Sequence, residues 1–261
     1  MAEGKFVKAN GLNVYYKVVG DGRPLILLHG ATDTHKLWDP FIPEFSPSFR
    51  VFTPDSRGHG QTMNPVADLS YPVMADDLAG FIQELDLEKP FIFGYSDGGQ
   101  TALDFGMRFP EIAGALVIGG AWYRFSTEYQ AALKKAGFIG GGEIDFQIYE
   151  KSAPADWKER MGRFHINTDP NYPETLLRSL ASLFWTPLNY VKEDFLKIKA
   201  PILILVGEQD EFVPPEESRE MAAMIPGAEL ALIPGTTHTQ VIVPGGACLP
   251  IVIDFLLNQL D

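Results

Sequence analysis

Hydrophobic and polar positions along the chain fall into two alternating textures. Short continuous apolar runs occur in PLILLHG (24–30), RVFTPD (50–55), KPFIFGYS (89–96), AGALVIGG (113–120), APILILVGEQD (200–210) and AELALIPG (228–235). Such runs, bounded by Gly or Pro, are what strands covered on both faces require. LNVYYKVVG (12–20) mixes β-branched and aromatic residues before a glycine-rich turn and predicts an early antiparallel strand. Between the runs lie segments that read as helix: MADDLAGFIQEL (74–85), DGGQTALDFGMRF (97–109), PEESREMAAMI (215–225) and ACLPIVIDFLLNQL (247–260). The alternation predicts an α/β fold, a mostly parallel sheet with helices on both faces.

The rhythm breaks once, over 122–192. That stretch lacks a long apolar run, carries Gly140, Gly141 and Gly142 in succession, and holds three of the four tryptophans, Trp122, Trp157 and Trp185. It is expected to be a helical insertion lying over the sheet. Strand-like segments resume after it, so 1–121 and 193–261 are expected to build one core together.

Composition adds limits. With 46% apolar and 21% charged residues the chain is ordinary for a soluble globular protein. Its 21 Lys and Arg against 34 Asp and Glu give a formal charge of −13, which repels phosphate backbones and disfavours nucleic acid as a partner. The single cysteine, Cys248, sits in an apolar run and reads as a buried thiol. MAEGKFVKANG lacks the apolar stretch of a secretory signal, and no run reaches the roughly 18 residues that cross a bilayer. A cytoplasmic location without membrane partners is the expectation.

The candidate chemistry centres on GYSDGGQ (94–100), at the seam between a predicted strand and a predicted helix. A side chain on so sharp a turn stands clear of the sheet, and the first amides of the helix point at whatever binds there. The turn brings the residues two before and two after Ser96 close together, so Gly94 and Gly98 fit where a Cβ would crowd; Gly99 suits close packing of helix on strand. A serine hydroxyl needs a base, and the base needs an acid to orient it. Of His29, His35, His59, His165 and His238, only His238 lies in a loop after a late strand. His29 and His59 read as loop-shaping residues, while His35 and His165 have no context that assigns them. Asp210 ends a strand-like run and ranks above its neighbours Glu208 and Glu211 as the acid.

The order Ser96, Asp210, His238 resembles that of the α/β-hydrolase fold family. HGATDTHKLW (29–38), DSRGHGQT (55–62), GYSDGG (94–99), VGEQDEFVP (206–214) and GTTHT (235–239) carry the resemblance. It implies an eight-stranded, mostly parallel sheet with an inserted helical cap. It also implies an oxyanion hole built from the main-chain amides of Ala31 and Asp97, with Asp55 and Arg57 architectural. The activity implied is hydrolysis of a carboxylic ester through an acyl-enzyme, without metal or organic cofactor and with a small-molecule ester as the partner. Serine at position 96 separates the chain from members of the fold that use aspartate there. A cofactor-independent haloperoxidase or perhydrolase would use the same three residues. A lyase or C–C bond hydrolase has no sequence feature in its favour, and a ligand-binding receptor of the fold is the reading outside enzymology.

Two further expectations concern specificity. Aromatic residues of the insertion, Trp122, Tyr123 and Trp185 foremost, are expected to line an apolar pocket. The Asp97 side chain is expected to be a helix-end carboxylate, favoured there by about 0.3 to 1 kcal/mol. The SDGG tetrapeptide is also similar to that of hydrolases of α-amino-acid esters, which would make the same carboxylate a recognition group.

Overall fold

A central sheet runs through the computed structural model, which describes residues 3–64, 69–153, 155–167 and 169–260. In chain order its strands are β1 (Lys5–Ala9), β2 (Leu12–Val19), β3 (Arg23–Leu28), β4 (Phe49–Pro54), β5 (Phe91–Tyr95) and β6 (Ala115–Gly119). A separate hairpin of β7 (Phe138–Gly140) and β8 (Glu143–Ile144) intervenes, and β9 (Ile202–Gly207) and β10 (Glu229–Ile233) complete the sheet. The spatial order is β1-β2-β4-β3-β5-β6-β9-β10; β1 pairs with β2 and β2 with β4 antiparallel, and every pairing from β4 to β10 is parallel. This is the predicted mostly parallel architecture, and the continuous apolar runs are its fully buried inner strands.

Alternation within those runs serves two cores. Ile26 and Leu28 pack with Ile92, Leu116 and Ile118 under α2 (Tyr71–Glu84), α3 (Asp97–Arg108) and α9 (Pro215–Met224). Leu25 and Leu27 point the other way and join Trp38, Phe45, Phe93 and residues of α10 (Cys248–Leu257), with Phe45 ending α1 (Ile42–Phe45). Each such side chain, fully buried, contributes about 1.5 to 3 kcal/mol. Neither core is optional, since a sheet apolar on both faces must be covered on both.

Two elements escape the sequence pattern. In β1 only Ala9 is buried, so this edge strand leaves no apolar run to read. Helix α2 starts at Tyr71, ahead of the expected Met74, because the Ser70 hydroxyl accepts from Val73 N–H and Pro72 occupies the first turn.

After β6 the chain leaves the sheet and returns at β9. Its excursion contains α4 (Thr127–Lys135), the hairpin, α5 (Phe146–Ser152), α6 (Trp157–Phe164), α7 (Tyr172–Phe184) and α8 (Lys192–Phe195). It is largely helical except for the hairpin, where Gly140, Gly141 and Gly142 all take positive φ. Exit and return meet at a neck: Arg124 bridges Asn189, and Tyr190 N–H donates to the Tyr123 carbonyl at 3.0 Å. The excursion's apolar residues form a third core with Tyr71 and Met74 of α2, Val206 of β9 and Val213. Among the described residues, no helix is long and apolar enough to cross a membrane.

Candidate active site

Ser96 joins β5 to α3 at φ 54° and ψ −120°, a conformation in which L side chains are strained. The surroundings enforce it. Ser96 N–H donates to the Gly119 carbonyl on β6 at 2.8 Å. A Cβ at Gly94 would stand 2.0 Å from the Gly98 oxygen, and one at Gly98 would stand 2.3 Å from the Leu28 oxygen. Neither position admits a side chain, so the turn closes tightly on β3 and lifts the serine above it.

Three loops on the same sheet edge converge there. His238 Nε2 lies 3.0 Å from Ser96 Oγ, and His238 Nδ1 lies 2.8 Å from Asp210 Oδ2. With the carboxylate accepting at Nδ1, the imidazole keeps its proton there and offers Nε2 to the serine hydroxyl. Asp210 is itself held, since its Oδ1 accepts from the amides of Phe212 at 3.0 Å and Val213 at 2.8 Å. Glu211 and Glu208 hold the histidine loop by its backbone instead, accepting from His238 N–H at 2.9 Å and Gly235 N–H at 3.0 Å. Tyr95 Oη donates to the His238 carbonyl at 2.5 Å. The structure therefore brings Ser96, His238 and Asp210 into one hydrogen-bonded series, and the two neighbouring carboxylates are occupied elsewhere.

The segment carrying Ala31 lies against Ser96: a Cβ at Gly30 would be 3.2 Å from Ser96 Cβ and 3.7 Å from its Oγ. Asp97 opens α3 directly after Ser96, so both expected oxyanion amides belong to residues that flank the serine.

The Asp97 side chain stands in the first turn of α3, as expected of a helix-end carboxylate, and is buried there. It is 2% exposed, its Oδ1 accepts from Tyr71 Oη at 2.9 Å, and among the described residues its Oδ2 has no hydrogen-bond partner. Burial pushes its pKa up to about 7, against the opposing pull of the Tyr71 hydrogen bond and of His238. Around it stand Tyr71, Trp122 and Tyr129; Trp122 lies edge-on to Tyr71 at 5.6 Å and stacked on Tyr129 at 4.7 Å.

Of the three aromatics expected to line a pocket, only Trp122 lies in this layer, its backbone N–H donating to Gln100 Oε1 at 3.1 Å. Tyr123 turns away into the core beneath α9, with its ring on Phe195 and its hydroxyl donating to Glu220 at 2.5 Å. The two neighbours thus lie in different surroundings, Trp122 in the Asp97 layer and Tyr123 in the core beneath α9. Trp185 is also a correction: it donates from Nε1 to the Phe138 carbonyl at 3.0 Å and packs on Phe125 and Lys134, all within the excursion.

The remaining histidines have structural partners. His29 donates from Nδ1 to the Gly30 carbonyl at 2.8 Å and accepts at Nε2 from Ser56 N–H at 3.0 Å. His59 donates from Nδ1 to the Arg57 carbonyl at 2.9 Å. His35 meets Asp55 at 2.8 Å, and Arg57 makes two hydrogen bonds to Asp77 at 2.7 and 2.8 Å. His165, which had no assignable context in the sequence, accepts from Gly60 N–H at 2.8 Å across 105 residues. Cys248 is buried, with its thiol pushed up to about 11 by burial. Among the described residues, no group of three or more His, Cys, Asp or Glu is arranged to hold a metal ion.

Comparison with known proteins places this geometry. The chain is 29% identical over 277 residues to 2-hydroxy-6-oxo-2,4-heptadienoate hydrolase of Pseudomonas putida, covering 98% of this chain and 97% of the relative. A meta-cleavage product hydrolase from Pseudomonas fluorescens, solved as a serine-to-alanine mutant complexed with acetates, is 25% identical and superposes with a TM-score of 0.77 over 98% of both chains. A thermophilic esterase from Thermogutta terrifontis shares the fold at 21% identity, with a TM-score of 0.74 over the whole of both chains. A family profile described as alpha/beta hydrolase fold matches residues 23–244. Topology, the strained serine turn and this match agree: the chain belongs to the alpha/beta hydrolase fold family and is a hydrolase.

Proposed function

We propose that this hydrolase cleaves a carboxylic ester of a small or medium, mainly apolar substrate, with Ser96 as nucleophile, His238 as general base and Asp210 as its orienting acid. The observation that carries the reading is the Ser96–His238–Asp210 hydrogen-bonded series at 3.0 and 2.8 Å, built on a serine held at positive φ. Ser96 Oγ attacks the carbonyl carbon as its proton passes to His238 Nε2, and the carbonyl π electrons move onto oxygen. The amides of Ala31 and Asp97 receive that charge; one such donor is worth about 3 kcal/mol where it has been removed. The imidazolium then gives its proton to the departing alkoxide, leaving an acyl-serine, and water repeats the sequence to release the acid. Residues 122–192 serve as the cap, with Trp122 the aromatic that meets substrate.

The dienoate and meta-cleavage names of the relatives raise C–C bond hydrolysis as a competing activity. A dienoate is a carboxylate, and here a buried carboxyl stands directly beside the nucleophile. Its charge above about pH 7 disfavours an anionic substrate in that layer, which supports a neutral ester over a dienoate. The unpartnered Asp97 Oδ2 favours one more specific reading, an amino-acid ester whose ammonium group would fill that vacant hydrogen bond beside the aromatic rings.

The test is a panel of p-nitrophenyl esters of rising acyl length, run beside a 2-hydroxy-6-oxo-dienoate, with Ser96→Ala as control and a fluorophosphonate as the label. Ester turnover lost in Ser96→Ala, with labelling at Ser96, is the expected result. Faster turnover of the dienoate than of every ester would replace the ester reading, and labelling at another serine would remove Ser96 from its role.

A further inference from the structure

Three segments far apart in sequence meet beside the serine through histidines. From the excursion, His165 accepts from Gly60 N–H at 2.8 Å, and the next residue, Ile166, donates to the Gly60 carbonyl at 2.7 Å. Tyr172 donates its hydroxyl to the Gly58 carbonyl. The loop 55–62 is thus gripped by the excursion on both sides of His59. The His59 ring lies 5.7 Å from that of His165 and 5.2 Å from that of His29. His29, in turn, is bonded to Ser56 N–H of the same loop and to the Gly30 carbonyl, one residue before Ala31.

The geometric route from His165 to the oxyanion segment therefore runs through the His59 and His29 rings to the Gly30 carbonyl. The Thr32 carbonyl is close enough to draw the His165 pKa upward, although burial, the larger effect, brings it down to about 4. The ring is therefore neutral at pH 7 and keeps the Nδ1 lone pair that Gly60 N–H needs. Thr32 sits at φ 61°, a conformation unfavourable for a β-branched residue and one that persists only where neighbours enforce it. His165 is 4% exposed, and its Nε2 makes no hydrogen bond of its own.

We propose that His165 is a positioning residue through which the excursion, by holding Gly60 and by packing on His59, which packs on the His29 bonded to Gly30, sets the Ala31 amide for the oxyanion. The inference rests on the Ser96 hydrolase reading. An amide displaced from its station acts on the transition state alone, so the expected signature is loss of kcat at unchanged KM. Displacement of a catalytic group by about 1 Å can cost about a hundredfold.

The experiment compares His165→Asn, His165→Gln and His165→Leu in the full chain. Asn places an acceptor oxygen where Nδ1 stands; Gln carries it one bond further out; Leu has none. Fluorophosphonate labelling counts functional Ser96 sites, so kcat is expressed per labelled site. Expected are near-parental kcat for Asn and at least a tenfold loss for Gln and Leu, with KM for a p-nitrophenyl ester unchanged. Affinity for an aryl trifluoromethyl ketone, whose serine adduct carries an oxyanion, falls in parallel with kcat. Should Leu fail to fold, the Asn and Gln pair carries the comparison. Parental kcat in Gln, or losses confined to KM or melting temperature, would overturn the proposal. Absence of parental labelling at Ser96 would instead overturn the hydrolase reading, and the inference with it.

Discussion

Tyr71 Oη and Asp97 Oδ1 meet 2.9 Å apart in a fully buried layer beside Ser96. Tyr71 comes from the first turn of α2 and Asp97 from the first turn of α3, so two helix starts cooperate to hold one carboxyl next to Ser96. Burial raises that carboxyl to about 7, while the tyrosine hydrogen bond and His238 moderate the rise. A group half ionised near neutral pH, with one oxygen unpartnered, is sensitive both to substrate charge and to pH.

Asp97→Asn therefore separates recognition from packing. If an ammonium group of the substrate pairs with Asp97, the preference for an amino-acid ester over its desamino counterpart falls about 10- to 100-fold in the variant, matching a charge-assisted hydrogen bond of about 1.5 to 3 kcal/mol. In the parent the same preference rises as pH is raised through about 7. Equal kcat/KM ratios in parent and variant would mean that the carboxyl is not a recognition group and that the substrate is a neutral ester.

Asp210→Asn is expected to leave the fold intact and lower kcat by about four orders of magnitude, because an amide can hold the imidazole in the wrong tautomer. Glu208→Gln and Glu211→Gln keep an oxygen acceptor for Gly235 N–H and His238 N–H. Their kcat should stay within a few fold of the parent. Comparable losses in all three would reassign the acid.

Acid stability follows from opposing buried groups. His29 is held down to about 3 and His165 to about 4, both chiefly by burial. Between pH 6.5 and about 4 the unfolded chain binds protons that these rings refuse, so acidification destabilises the fold by up to about 1.4 kcal/mol per pH unit for each ring. Asp97, raised to about 7, acts in reverse: the folded protein holds a proton that the unfolded carboxyl has lost, and its contribution fades as pH rises through 7. Melting temperature measured from pH 7 to pH 4.5 should thus drop more steeply in Asp97→Asn than in the parent and less steeply in His165→Asn. Parallel curves would show that these groups do not govern the pH dependence.

Trp122→Ala should alter preference among acyl lengths, since Trp122 shares the buried layer with Asp97 and Tyr71. Tyr123→Phe removes a hydroxyl bonded to Glu220 on the far side and should leave that preference unchanged, at a modest cost in stability. A shift in selectivity with Tyr123→Phe and none with Trp122→Ala would reverse their assignments.

Much of this molecule is legible along the chain because its determinants are local. A strand buried on both faces must be continuously apolar, so β3, β5, β6 and β9 announce themselves, and a strand-to-helix serine turn must shed Cβ atoms at Gly94 and Gly98. Chain order and strand ends single out His238 and Asp210, which the structure brings into hydrogen-bonding distance of one another and of Ser96. An edge strand such as β1 buries little and leaves no such trace.

Tertiary structure alone decided what each side chain faces. Trp122 and Tyr123 are indistinguishable as aromatics in sequence, yet tertiary packing gives one to the Asp97 layer and the other to the core under α9. Asp97 reads as a helix-end carboxylate until Tyr71 and Trp122, brought from other segments, close around it and shift its proton affinity. His165 has no local signal at all, because its partner Gly60 lies 105 residues away. Burial and long-range hydrogen bonding depend on which segments meet. Local pattern sets the elements, whereas the field and contacts at a site are made only when those elements pack.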